Sequence, residues 1–177
     1  MYEIITIADV KEFTEVDIDN FLLLLSDAQE IDLKQLLGHQ LYIDICENPD
    51  DYTNVLDPYT WTYNAKKYSH RGLKCVLANF VATRQHQSSA SVSTPFGEML
   101  PNSEFSTRAP EKEIARKAAL TQSKALSYWE DVKLFLIHNS TTYPLFDQCE
   151  TNESQSIRVT AIGGGYSSLS KHNKYNW

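Results

Sequence analysis

The chain has 177 residues, 42% hydrophobic and 22% charged, which suits one globular domain with appendages and excludes a wholly disordered chain. Its longest apolar run, Phe21 to Leu25, is too short to cross a bilayer, and Met1-Tyr-Glu-Ile-Ile lacks a basic n-region, so we read a soluble protein that folds in a cytoplasm. The net charge of −7 argues against a protein that grips nucleic acid through phosphates. That charge is uneven: residues 1–57 hold fourteen acids against Lys11 and Lys34, while residues 58–177 hold fourteen bases against nine acids. Two readings fit the split. Solvated helix faces of different sign are one, and an acidic face on one copy meeting a basic face on the next is the other.

In chain order, Thr6-Ile-Ala-Asp9 predicts a capped first helix through about Phe13. Thr14-Glu-Val-Asp17 predicts a second cap, with Phe13 and Ile18 placed as a hydrophobic staple. Ile18, Phe21, Leu22, Leu25 and Ala28 then form one apolar helical stripe, which restarts as Leu33, Leu36, Leu37 and Leu41. Gly38 marks a break between two helices, and Asn48-Pro-Asp-Asp a stop. Residues 49–64 read as a loop whose Tyr52, Tyr59, Trp61 and Tyr63 cover the helices as a lid. A long helix is predicted from about Ala65 to Gln87, burying Leu73, Val76, Leu77, Phe80 and Val81, with Gly72 inside it at a close approach.

Two short strands around a Pro95–Gly97 turn predict a protruding hairpin near residues 91–104. Such a ribbon is marginal alone in water, which points to a neighbour that stabilises it. Pro110 starts a further helix, with Ile114, Ala118, Thr121, Ala125, Trp129, Val132 and Leu136 on one side up to about His138. Tyr143-Pro-Leu-Phe146 is expected to dock back on the core. Beyond Cys149 the composition turns to Ser, Thr, Asn and Gly. Residues 150–177 read either as a disordered terminus or as a tail that orders on a partner, Ile157, Val159 and Ile162 adding a strand and Tyr166, Tyr175 and Trp177 serving as aromatic anchors. The fold class is therefore mainly α: a helical bundle over residues 1–149 with a protruding β-hairpin and an extended C-terminal tail.

Reactive groups do not converge in the sequence. His39, His70, His86, His138 and His172 lie one per element without metal-ligand spacing, and Gly163-Gly-Gly165 lacks the Lys-Ser/Thr of a phosphate loop. Cys46, Cys75 and Cys149 are odd in number and widely spaced, and read as buried or half-buried thiols. We expect no catalytic residue, no metal and no cofactor.

Four segments carry a resemblance. Leu36-Leu-Gly-His-Gln-Leu-Tyr42 follows an acidic helix; Gly72-Leu-Lys stands near the start of a long helix; Thr94-Pro-Phe-Gly97 precedes Asn102-Ser-Glu-Phe-Ser106; and Lys112-Glu-Ile114 is followed by Asn139-Ser and Tyr143-Pro-Leu-Phe146. In order and spacing, across about residues 2–148, they resemble the head–tail connector (adaptor) proteins of tailed bacteriophages, and more narrowly those of crAss-like phages. Ile43 departs from the acid usual after the tyrosine, and the tail has no counterpart in the family. The resemblance implies a virion protein at the head–tail junction, assembled in the host cytoplasm as a ring beneath the portal and commonly dodecameric. The implied partners are further copies of the chain, the portal protein, and further connector or tail proteins. DNA is implied only as passing cargo, with no membrane. In that setting Val92, Thr94, Pro95, Phe96, Gly97 and Met99 would make ring contacts, and the tail residues would dock on a partner. A helical regulatory or nucleic-acid-binding protein is the alternative, with Lys66, Lys67, Arg71 and Lys74 as its basic cluster.

Overall fold

The computed structural model describes residues 3–88, 92–94, 97–99 and 111–146. The helices are α1 (Ile7–Thr14), α2 (Phe21–Asp27), a π-helical turn Ala28–Leu33, α3 (Lys34–Leu37), α4 (His39–Glu47), a 3₁₀ turn Pro49–Tyr52, α5 (Thr53–Leu56), α6 (Leu73–Ser88) and α7 (Glu111–His138). Two antiparallel ribbons complete it: β1 (Tyr59–Tyr63) with β2 (Lys66–His70), and β3 (Val92–Thr94) with β4 (Gly97–Met99). The chain is thus a mainly helical bundle carrying β-hairpins.

α6 is the central post. Leu73, Cys75, Val76, Leu77, Ala78, Phe80, Val81 and Ala82 are all buried, so the helix is covered on every side rather than along one stripe. α7 packs along it through Ala118, Ala125, Trp129, Val132 and Leu136, spaced by seven, four, three and four. α1 covers another side through the fully buried Val10. Tyr143 and Phe146 return to the core as expected, the Phe146 ring standing 6.2 Å edge-on to Trp129.

The first cap forms as read. The Asp9 amide donates to Thr6 Oγ1, and the Thr6 amide donates to the Asp9 carboxylate. Such a box is worth about 1 kcal/mol. The second cap does not form. Thr14 is the last residue of α1, where its hydroxyl donates to the Val10 carbonyl, and left-handed Glu15 then turns the chain away. α2 starts only at Phe21, which leaves Leu22 outside the core at 64% exposed, while Leu24, Leu25 and Ala28 are buried. Gly38 separates α3 from α4 with φ +79°, as the sequence indicated.

The stretch read as loop and helix start is a hairpin. Tyr59, Trp61 and Tyr63 alternate with threonines and pair with His70, Tyr68 and Lys66, which places the aromatic residues on one face. Asn64 and Ala65 make the two-residue turn, both with positive φ, as twist-matched hairpin turns require. Alanine there costs about 1–2 kcal/mol against glycine. α6 therefore starts at Leu73, eight residues later than the periodicity predicts, and Gly72 stands before the helix instead of inside it.

Candidate assembly surfaces

The β3–β4 ribbon pairs Val92 with Met99, Ser93 with Glu98 and Thr94 with Gly97. The strands lie where the sequence placed them, between α6 and α7. Among the described residues β3 and β4 make extended contact only with each other. Pro95 and Phe96 lie outside the described residues, as do Ile157, Val159, Ile162, Tyr166, Tyr175, Trp177 and Cys149.

The β1–β2 hairpin, which sequence reasoning missed, is fixed on the C-terminal end of α7 by a seam of rings. Trp61 is the centre: its ring stacks on Tyr68 at 5.5 Å, meets Phe135 edge-on at 5.1 Å, and its Nε1–H donates to His138 Nδ1 at 3.1 Å. Tyr63 lies flat on the His138 imidazole, 3.7 Å between centroids and 7° from parallel. Tyr52 continues the seam, 5.6 Å from the Tyr143 ring, and its hydroxyl donates to Asp44 on α4. The signal that could have found the hairpin is the period-two run Tyr59-Thr-Trp-Thr-Tyr63.

His70 closes the inner end of the seam. Its Nδ1 accepts the Gly72 amide at 3.0 Å, so the ring proton sits on the buried Nε2, which faces the Asn54 backbone outside good hydrogen-bond geometry. Burial pushes its pKa down to about 4, opposed in smaller part by the Asn54 backbone. The neutral form is favoured in the folded state, so the unfolded chain binds the extra proton. Stability attached to His70 is fully present above about pH 6.5 and is lost as pH falls through 4. His70→Gln is expected to flatten the dependence of unfolding free energy on pH between 6.5 and 4 by up to one proton, measured by urea titration at stepped pH; an unchanged slope contradicts this.

The charge split is partly used up inside the chain. Arg84 of α6 reaches Asp32 at 2.9 Å and Asp27 at 3.8 Å, and Lys74 reaches Asp57 at 2.7 Å. These pairs are partly exposed, so they orient helices more than they stabilise them. A second polar link ties the turn before α2 to the end of α6, the Asp19 amide and carboxylate meeting the two ends of the Gln85 amide. On α4, Tyr42 donates to Glu30 at 2.8 Å, and Lys34 lies 3.0 Å from the same carboxylate, whose pKa those two contacts lower.

Apolar side chains remain uncovered at Leu22 and Leu23 of α2 and at Ile31. Among the described residues no group of histidine, cysteine and acidic side chains is arranged to hold a metal, and no helix is long and apolar enough to cross a membrane. Cys75 is buried and Cys46 half-buried, with both thiols pushed up by burial.

Residues 33–156 match a family of unknown function (DUF6712), a span covering more than half of the chain. The chain belongs to that family. No curated protein and no solved structure matches it. The DUF6712 span takes in α3 through α7, both ribbons and the start of the tail, and leaves out α1 and α2. The aromatic seam and its partners on α7 thus fall within the family region, as do Gly38 and Gly72.

Proposed function

We propose that the chain is a structural virion protein, one subunit of a head–tail connector ring that joins a phage portal to the tail and lets DNA pass. The observation that carries the reading is the β3–β4 ribbon, which lies in the chain between the two longest helices and, among the described residues, makes extended contact only with itself. A three-residue pairing of that kind gains its stability from a neighbour. Further support comes from the four segments that resemble connectors, and from the acidic excess of residues 1–57 beside the basic remainder. Heterologous ring contacts suit surfaces of opposite sign, and they must close by rotation. In this reading Val92, Thr94, Pro95, Phe96, Gly97 and Met99 contact the next subunit. Ile157, Val159, Ile162, Tyr166, Tyr175 and Trp177 dock on the portal or a tail protein. The ring is dodecameric, like the portal above it.

The nucleic-acid-binding alternative gains nothing from the fold. Lys66, Lys67, Arg71 and Lys74 are divided among β2, the following turn and α6. Lys74 is paired with Asp57, and Arg71 lies over the Tyr128 ring and donates to its hydroxyl at 3.2 Å.

Deleting residues 150–177 is expected to leave the melting temperature within a few degrees of the full chain and to abolish co-sedimentation with the purified portal. Normal attachment of the truncated chain removes the tail from the docking role. Replacing the Pro95–Gly97 turn tests the ribbon in the same assay: subunit association should fall far more than monomer stability.

A further inference from the structure

A groove of about 410 Å³ opens beside α4, lined by His39, Gln40, Ile43, Asp44, Glu47 and Leu145. Its apolar members, Ile43 and Leu145, are 39% and 37% exposed among the described residues, which is much for branched aliphatic side chains. The acidic members stand beside them. Asp44 accepts hydrogen bonds from Asn48 and Tyr52, which fix its carboxylate in place, and Glu47 has no ion pair among the described residues. Asp50 and Asp51 follow in the next turn, both exposed.

The tip of the β1–β2 hairpin has the complementary chemistry. Lys66 and Lys67 are exposed and have no ion pair among the described residues, and Tyr63 beside them is 39% exposed. Lys66 stands opposite Tyr63 on one face of the ribbon and Lys67 projects from the other, so the tip brings one aromatic ring and two cations to an aliphatic floor edged by carboxylates. The tip cannot fold over into its own chain's groove while Tyr63 is stacked on His138 and Trp61 holds the same imidazole. We propose that the β1–β2 tip seats in the α4 groove of a second copy of this chain, Tyr63 over Ile43 and Leu145, with Lys66 and Lys67 against Glu47 and Asp44. The contact needs only another copy, so it stands or falls apart from the portal reading.

The test reverses each side separately. Lys66→Glu/Lys67→Glu inverts the tip, and Gln40→Lys/Glu47→Lys inverts the groove wall; all four positions are exposed, so folding is retained and is checked by circular dichroism. Sedimentation velocity of the full chain over a concentration series at low salt should show self-association that weakens tenfold or more in either variant. Mixing the two variants should restore it, since the inverted tip then meets the inverted groove. Four outcomes overturn the proposal: wild type that stays monomeric throughout, either variant associating like wild type, a mixture that fails to recover, or loss of portal binding in the tip variant with self-association unchanged.

Discussion

Gly72→Ala is expected to lower folding stability by at least about 3 kcal/mol, more than most single substitutions in this chain. Two costs add. Gly72 holds φ +83°, a left-handed conformation that charges alanine about 1–2 kcal/mol. A Cβ there would also stand 2.6 Å from the Asp57 carbonyl carbon and 2.8 Å from its oxygen, and closer still to the Leu56 carbonyl oxygen. Those are backbone atoms at the end of α5, and they move only if α5 parts from the start of α6. The Gly72 amide also donates to His70 Nδ1, so any shift disturbs the ring seam as well. Gly38→Ala is the control. It has φ +79° but nothing within 4 Å of the added carbon, so it should cost only the conformational part, about 1–3 kcal/mol. Urea unfolding followed by circular dichroism separates them, and equal losses would mean that the α5–α6 contact is not what requires glycine.

Trp61→Ala is expected to cost about 3–5 kcal/mol, the range for a buried aromatic cut back to a methyl group. Its ring is 8% exposed and touches Tyr68, His70, Phe135 and His138, so the substitution opens the space between the hairpin and α7. Trp61→Phe keeps most of the apolar contact and removes the Nε1–H to His138, and should cost about 1 kcal/mol from the lost hydrogen bond. Hydrogen exchange should show the amides of residues 59–70 losing protection in the alanine variant before those of α6. If α6 and the hairpin open together, the hairpin is part of the core rather than a cap on it.

Features that depend on a few neighbouring residues were legible in the sequence. The Thr6–Asp9 box, the break at Gly38, the stop at Asn48-Pro49 and the α7 stripe from Ala118 to Leu136 all stand as read. The β1–β2 hairpin was not legible because two signals conflicted. The period-two aromatic run is there, but its turn is Asn64-Ala65 without glycine, and Lys66, Lys67, Arg71 and Lys74 have the spacing of a solvated helix face. Gly72 is the point of close packing its place in the sequence suggests, but it stands before α6 rather than inside it. Thr14 shows the limit of cap reading, since the same hydroxyl can end one helix or start the next and the chain uses it for the first. The pairing of Arg84 with Asp27 and Asp32 joins residues more than fifty positions apart, which no local pattern encodes. Of the assembly surfaces, the position of β3 and β4 was legible from turn residues and β-compatible side chains, and the α4 groove was not, since Leu145 joins it only through the fold.

The central claim is that copies of this chain form a ring under a portal. Electron microscopy of the purified protein mixed with its portal tests it most directly. A closed ring of subunits on the portal's tail-facing side, with density for the β3–β4 ribbon running between neighbouring subunits, is the predicted image. A chain that leaves the portal bare, or binds it as isolated copies without subunit contacts, would contradict the account.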